Sequence, residues 1–262
     1  MNDVIREAQR DLINLVDQFD IKTFPKAVLL YGTCGSGKHA IVEHAAAKFG
    51  IPVHLIEDKL DPDTLAEFYL SSNPHMYCID IDQLIRERRV EGLQASLLKF
   101  VEEPPQSAII FVLCECATQV PETIKNRCVL WRMHAYTLEQ LQTLQPTLTR
   151  DIFSLLNTPG KLENFTVEEA SKTMEFAEFF LKNIVKASVS NILTAIPPKF
   201  ESGEYNLDLF LSAICRALEL EVEPESFELY KLTKDFQKDL KVFNVTRKYL
   251  LDRYLLSCKN IV

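Results

Sequence analysis

Glycine is scarce in this sequence. There are seven in 262 residues, and three of them fall within one eight-residue window, Gly32, Gly35 and Gly37. Such a cluster asks for a special backbone at that point. No apolar run approaches the roughly 18 residues needed for a membrane span. The first residues, MNDVIREAQRDL, contain no apolar signal core, so export is not expected. The seven cysteines are odd in number, and most sit inside apolar runs such as MYCIDI and IIFVLC. Buried free thiols in a reducing cytoplasm follow, rather than a disulfide framework. Cys114 and Cys116 are one residue apart, which is not zinc spacing. A basic excess is also lacking: the net charge is −8, whereas a protein that coats nucleic acid by itself is usually basic. Any DNA contact is therefore expected to be local or shared with other chains. With 47% hydrophobic and 25% charged residues, global disorder is excluded. There is no internal repeat and no low-complexity tract.

The first half alternates strand and helix signals. An amphipathic helix is predicted over residues 1–20, from Val4, Ile5, Leu12, Leu15 and Val16. Apolar runs at 27–31, 53–56, 76–81, 108–113 and 128–131 predict five strands. Helices are predicted over 38–48, stopped by Gly50, over 63–69, and over 91–102, which must end before Pro104-Pro105. Continuous apolar strands separated by helices imply a parallel sheet covered on both faces. After Ala135 no further strand is predicted. Helices are expected over 136–146, 148–157, 166–186, 206–219 and 225–258, with breaks at Pro146, Pro159-Gly160, Pro197-Pro198 and Pro224. The predicted organisation is an α/β nucleotide-binding domain over 1–135, a small helical domain over 136–190 and a C-terminal helical domain over 191–262.

The strongest local motif is Gly32-Thr33-Cys34-Gly35-Ser36-Gly37-Lys38-His39. It fits the phosphate-loop pattern G-x-x-x-x-G-K, after a predicted strand and at the start of a predicted helix. Glycines let backbone N–H groups wrap phosphate oxygens, and the helix start adds its positive end. Lys38 would reach the outer phosphates. His39 stands where a Ser or Thr hydroxyl normally holds Mg²⁺, and imidazole is a poor ligand for that ion. The bland alternative is a glycine turn with no nucleotide. The partner element of such a loop is an apolar strand ending in an acid, and Tyr77-Cys78-Ile79-Asp80 supplies it. The next residue is Ile81, not a catalytic Glu. Asp82 shares the face of Asp80 only if the strand continues that far.

Two further motifs follow in order. Leu97-Leu98-Lys99-Phe100-Val101-Glu102-Glu103-Pro104-Pro105 is a helix stopped by a double proline. Val120-Pro121-Glu122-Thr123-Ile124-Lys125-Asn126-Arg127-Cys128 lies beyond the fourth strand. The succession of phosphate loop, Asp strand, LLKxxEEPP, apolar strand and P-x-T-I-x-x-R-C resembles the AAA+ clamp-loader subunits. It is nearest to the bacterial DNA polymerase III delta-prime and gamma/tau type, with replication factor C small subunits further off. The resemblance covers about residues 25–131. It implies an AAA+ α/β domain with a five-stranded parallel sheet, a helical lid and a C-terminal oligomerising collar.

The resemblance also implies roles. Gly32, Gly35, Ser36, Gly37, Lys38 and His39 match the phosphate loop, and Asp80 matches the acid that holds Mg²⁺. Arg127 matches the arginine finger, which reaches the γ-phosphate held by a neighbouring subunit. A finger of this kind is worth on the order of 10³–10⁵ in rate in well-studied GTPases. Lys161, in Asn157-Thr158-Pro159-Gly160-Lys161, loosely matches the second-sensor arginine. Arg86, Arg88 and Arg89 match a region facing primer-template DNA, although Glu87 and Glu91 also suit a solvated charged loop. The sequence departs from the family pattern at His39, at Ile81, at Cys114-Glu115-Cys116 in the first-sensor region, and at Asn126, where Ser is usual. The four-Cys zinc module of many bacterial relatives is missing, so no zinc is expected. The short chain fits a reduced or phage-encoded version.

The expected function is thus a delta-prime-like subunit that gives Arg127 to a neighbour's ATPase site, while its own ATP or ADP and Mg²⁺ are bound weakly or not hydrolysed. Its partners would be other AAA+ clamp-loader subunits, a sliding clamp and primer-template DNA, with no membrane. A second reading makes the chain an active ATPase with Glu115 or Asp82 as base, and the retained Gly37-Lys38 favours it. A P-loop kinase is a third, weakened because half the chain is a helical tail. An interaction scaffold remains as the fourth. Leu250, Leu251, Tyr254 and Leu255 form an apolar stripe that suits either oligomerisation or internal core.

Overall fold

Five apolar runs form the strands of one sheet: β1 Ala27–Tyr31, β2 Val53–Leu55, β3 His75–Asp80, β4 Ala108–Cys114 and β5 Val129–Arg132. The computed structural model describes residues 2–56, 62–70, 73–82, 93–221, 223–242 and 247–261. All strand pairs are parallel, in the order β2-β3-β4-β1-β5. β1 lies between β4 and β5, with Val28 opposite both Phe111 and Val129 and Tyr31 opposite both Cys114 and Arg132. The chain divides into two compact units, Met1–Pro146 with Thr158–Lys161, and Thr147–Asn157 with Leu162–Val262. The sheet belongs to the first.

Alternate strand residues point to opposite faces, and each face has its own helices. Leu29, Tyr77, Ile79, Ile110 and Val112 pack with Leu97, Phe100 and Val101 of the helix Leu93–Glu102. Val28, Leu30, Met76, Cys78, Ile109, Phe111 and Leu113 pack on the other face. Their partners there are Ile41, Val42 and Ala45 of the helix Lys38–Phe49 and Leu12, Ile13 and Val16 of the helix Arg10–Gln18. Gly50 ends the helix that begins at Lys38, in the left-handed region at φ 64°.

Several predicted helices differ in the structure. The N-terminal segment forms two helices, α1 (Asp3–Ala8) and α2 (Arg10–Gln18), because Gln9 leaves the helical path at φ −105°. The Gln9 side chain is fully buried and bonds the main chain of His134 in both directions. Its Nε2 donates to the His134 carbonyl at 2.9 Å, and its Oε1 accepts from the His134 N–H at 2.8 Å. Tertiary pairing overrides the helical periodicity there. The predicted helix 225–258 is two, Pro224–Val242 and Arg247–Ile261. The Pro197-Pro198 break instead opens a short helix, Pro197–Glu201, since Pro suits a helix's first turn. The helix Val189–Ala195 lacked a strong periodic signal. Leu250, Leu251, Tyr254 and Leu255 are all buried core of the second unit. Tyr254 stacks on Phe236, with ring centroids 4.5 Å apart, and shares a 2.9 Å hydrogen bond with the Thr233 hydroxyl. Among the described residues no strand follows Arg132, and no helix is long and apolar enough to cross a membrane.

Two measurements test this packing. Replacing Gln9 by Ala leaves both main-chain groups of His134 without their partner. It is expected to lower stability by about 1–3 kcal/mol, read as a lower urea midpoint at unchanged slope. Of the seven thiols only those of Cys34 and Cys116 are exposed. Burial pushes the Cys78, Cys114 and Cys258 thiols up to about 12 and the Cys128 thiol up to about 11. A thiol reagent at pH 8 should therefore titrate two groups in the native chain and seven after denaturation.

Candidate functional site

Parallel strands put every strand-to-helix turn at one end of the sheet, the end where ligands bind in open α/β folds. The turn after β1 is the glycine window. Gly35 and Gly37 both lie in the left-handed region, at φ 75° and 89°, where a side chain would be strained. Gly37 caps the 12-residue helix α3 (Lys38–Phe49), so the loop's amides and the helix's positive end meet at one place. Gly32 is held by its N–H to the Cys114 carbonyl at 3.1 Å. A Cβ added to it would sit 2.6 Å from Cβ of Met133. Lys38 is buried, and its ammonium donates back to the carbonyls of Gly32 at 2.7 Å and Thr33 at 3.3 Å.

Acids that follow or end β3 and β4 come to the same end. Asp80 is the last residue of β3 and is half-buried. The strand stops there, so Asp82 does not continue its alternation. Instead, Asp82 is buried and its carboxylate accepts the backbone N–H of Glu115, just past β4. Burial raises the Cys114 thiol, with the charge of Asp82 adding to the rise and that of Lys38 opposing it. His39, in the place of the metal-holding hydroxyl, is exposed at the start of α3.

The loop is backed by the chain's own residues 158–161. The Thr158 hydroxyl donates to the Cys34 carbonyl at 2.9 Å, and the Gly160 N–H donates to the Gly35 carbonyl at 3.0 Å. The two glycines touch backbone to backbone: a Cβ on Gly160 would come within 2.6 Å of Gly35 Cα, and one on Gly35 within 3.0 Å of Lys161 N. From another side the buried Tyr136 hydroxyl donates to the Ser36 carbonyl at 2.7 Å. Burial pushes that phenol up to about 12, so it stays a donor across the physiological range.

These residues fit a phosphate better than a metal. Two left-handed glycines, a helix start and a lysine make a cradle for oxyanions. The Ser36 hydroxyl, 3% exposed, has no hydrogen-bond partner among the described residues and is a polar group aimed within the loop. The metal set is incomplete: where a hydroxyl oxygen is needed the chain has an imidazole, and Asp80 is the acid that remains.

Arg127 lies at the other end of the sheet. It ends the segment after α6 (Glu122–Lys125), numbering Pro62–Leu70 and Leu93–Glu102 as α4 and α5. Two residues later Val129 enters β5 beside Val28, near the start of β1. The phosphate loop follows Tyr31, three strand steps further, roughly 10 Å along the sheet. Arg127 is exposed, and its guanidinium pairs with the Glu102 carboxylate and donates to the Thr123 carbonyl at 2.6 Å.

The structure thus brings Gly32, Gly35, Ser36, Gly37, Lys38, His39, Asp80 and Lys161 to one end and sets Arg127 apart. Arg86, Arg88 and Arg89 lie outside the described residues. The sequence assigned no role to Tyr136, Thr158, Gly160 or Glu102. Gly160 and Glu102 sat inside the quoted T-P-G-K and EEPP stretches, which was the available signal. Three of the five histidines pair locally, His44 with Asp17 at 2.9 Å and His54 with His75 at 2.9 Å. Replacing Gly160 by Ala is expected to cost about 1–3 kcal/mol by forcing two backbones apart, with a lower midpoint in thermal unfolding. Replacing the exposed Gly50 by Ala, where a Cβ meets open space but φ is also positive, separates backbone strain from collision.

Residues 86–137 match the family model described as DNA polymerase III, delta subunit. No sequence among the curated proteins matches. Among solved structures the chain is similar to a DNA polymerase III gamma subunit-related protein from Thermotoga maritima. The identity is 16%, over 97% of this chain and 99% of that one, with a TM-score of 0.49. It is also similar to the RuvB Holliday junction branch migration motor of the same organism, at 14% identity over 95% of this chain and 80% of that one, with a TM-score of 0.44. The matched segment takes in α5, β4, Arg127 and β5 and ends at Thr137, and it is that segment which is similar to the DNA polymerase III delta subunit family.

Proposed function

We propose that this chain is a delta-prime-like subunit of a sliding-clamp loader and that Arg127 completes the ATPase site of a neighbouring AAA+ subunit. The observation that carries this is the placement of Arg127. It is exposed at the amino end of the sheet, where it cannot serve the phosphate loop of its own chain at the carboxyl end. In this reading the guanidinium stabilises charge developing on the neighbour's γ-phosphate.

The chain's own phosphate loop binds ATP or ADP weakly and does not hydrolyse it efficiently. Three observations support this part. His39 replaces the Mg²⁺-holding hydroxyl and Ile81 the catalytic acid. Asp82, the nearest substitute base, is buried and committed to the Glu115 N–H. The loop is braced by Thr158 and Gly160, so it keeps its form through the chain's own contacts. Residues 136–190 would act as lid and 191–262 as oligomerising collar. Arg86, Arg88 and Arg89 would meet primer-template DNA inside the assembly, where neighbouring subunits supply the positive charge that this chain lacks.

DNA-stimulated ATPase of the complex, formed with the subunits that co-purify with this chain, tests the reading. Arg127→Ala is expected to lower turnover by 10²-fold or more, roughly the lower part of the finger range. Lys38→Ala is expected to leave it within about threefold, a change too small for loss of a phosphate contact at a working site. If Lys38→Ala is the damaging change and the chain alone turns over ATP, this is a motor subunit instead.

A further inference from the structure

We infer that Glu102 is the positioning residue for Arg127: the first acid of the EEPP stretch exists to hold the guanidinium in its outward pose. The inference rests on the finger reading of Arg127 and adds to it the group that aims the finger. Glu102 and Arg127 are 25 positions apart, yet both are fixed from below by the same core. On one side Leu97, Phe100 and Val101 bury the face of α5 against the sheet, each 4% exposed or less. On the other side Ile124 and Cys128 enter that same cluster from just before and just after Arg127. The Cys128 thiol acts there as a small apolar plug, pushed up to about 11 by its burial.

The end of α5 is itself made rigid. Pro104 and Pro105 stop the helix, which ends at Glu102. The Tyr69 hydroxyl donates to the Glu103 carbonyl at 2.5 Å, and the Lys26 ammonium donates to the Gln106 carbonyl at 2.7 Å. The next turn closes with the Ala108 N–H on the Pro105 carbonyl at 2.9 Å, which leads straight into β4. Glu102 therefore projects from a stopped, tied helix end and not from a loose loop.

The guanidinium is gripped at two points on different elements. One terminal nitrogen meets the Glu102 carboxylate, and the other donates to the Thr123 carbonyl at the last turn of α6. Two contacts on the two terminal nitrogens fix the plane of the fork, and the side chain is still 38% exposed. Glu122, the one acid of that short helix, pairs with Lys125 at 2.6 Å, and the carboxylate that meets Arg127 is Glu102. The pair is more than one-third exposed on both sides, so screening makes it a weak contributor to folding. Holding a long flexible side chain in one pose before the neighbour's phosphate arrives is what such a pair does well, because misplacing a reacting group by about 1 Å can cost 10²-fold in rate.

The test uses the assembled complex and follows ATP turnover with Glu102→Gln, Glu102→Asp, Arg127→Ala and the double variant Glu102→Gln with Arg127→Ala. Glu102→Gln is expected to lower kcat about tenfold with KM for ATP within about twofold, the signature of an interaction used in the transition state. Glu102→Asp should recover part of the loss. The thermal midpoint of the isolated chain should not move, which a structural role would not allow. In the double variant Glu102→Gln should add nothing to Arg127→Ala, since the two act as one unit. If Arg127→Ala is damaging while Glu102→Gln leaves kcat unchanged, the positioning role is wrong and the finger stands. A raised kcat in Glu102→Gln also overturns it, since Glu102 would then be withholding the finger. If Arg127→Ala itself is harmless, the finger reading fails and this inference falls with it.

Discussion

All five strands run in one direction, and that constraint decides what each end of the first unit presents. A parallel sheet buries both faces under helices, so the ends are where backbone and polar groups meet water. The carboxyl end collects the turns after β1, β3 and β4, and with them the glycine loop, Asp80 and Glu115. The amino end collects the returning segments, and with them Glu102 and Arg127. One sheet thus separates the glycine loop with Lys38 from the Glu102–Arg127 pair.

The two ends are stabilised by different means. At the carboxyl end the contacts are dry and close: Gly35 against Gly160, the Tyr136 hydroxyl on the Ser36 carbonyl, and a buried ammonium on two carbonyls. Such contacts tolerate no added atom and leave little room for drift. At the amino end the central contact is a half-exposed ion pair, worth about 0–1 kcal/mol in the usual surface setting. The first arrangement favours a fixed form, the second a side chain that is aimed and still able to exchange partners.

Much of this was legible in the residues, and the reasons are local. Strands such as Ala108–Cys114 are continuous apolar runs, and their burial on both faces leaves no other reading. The glycine window stood out because Gly is rare elsewhere, and two of its members do take left-handed backbone. What the sequence hid depends on contacts between distant positions. Gln9 interrupts a helix whose periodicity runs through it, for the sake of a partner 125 residues away. Asp82 could share the face of Asp80 only if the strand continued that far. The strand ends at Asp80, and Asp82 caps another loop instead. The stripe of Leu250, Leu251, Tyr254 and Leu255 is identical in sequence whether it faces a partner or the core, and only packing places it inside.

The position of β1 has a consequence for how the chain comes into being. β1 is complete by Tyr31, yet both of its neighbours are late: β4 begins at Ala108 and β5 at Val129. Among the described residues, the strands made in between, β2 and β3, lie beyond β4 in the sheet and do not pair with it. During synthesis Val28, Leu29 and Leu30 therefore wait, unpaired and apolar, until most of the first unit has emerged. Contacts so far apart in sequence also close slowly, because loop entropy is lost before the pairing repays it. The glycine loop directly after β1 is among the first residues made, yet its partners Met133, Thr158 and Gly160 are made long after it.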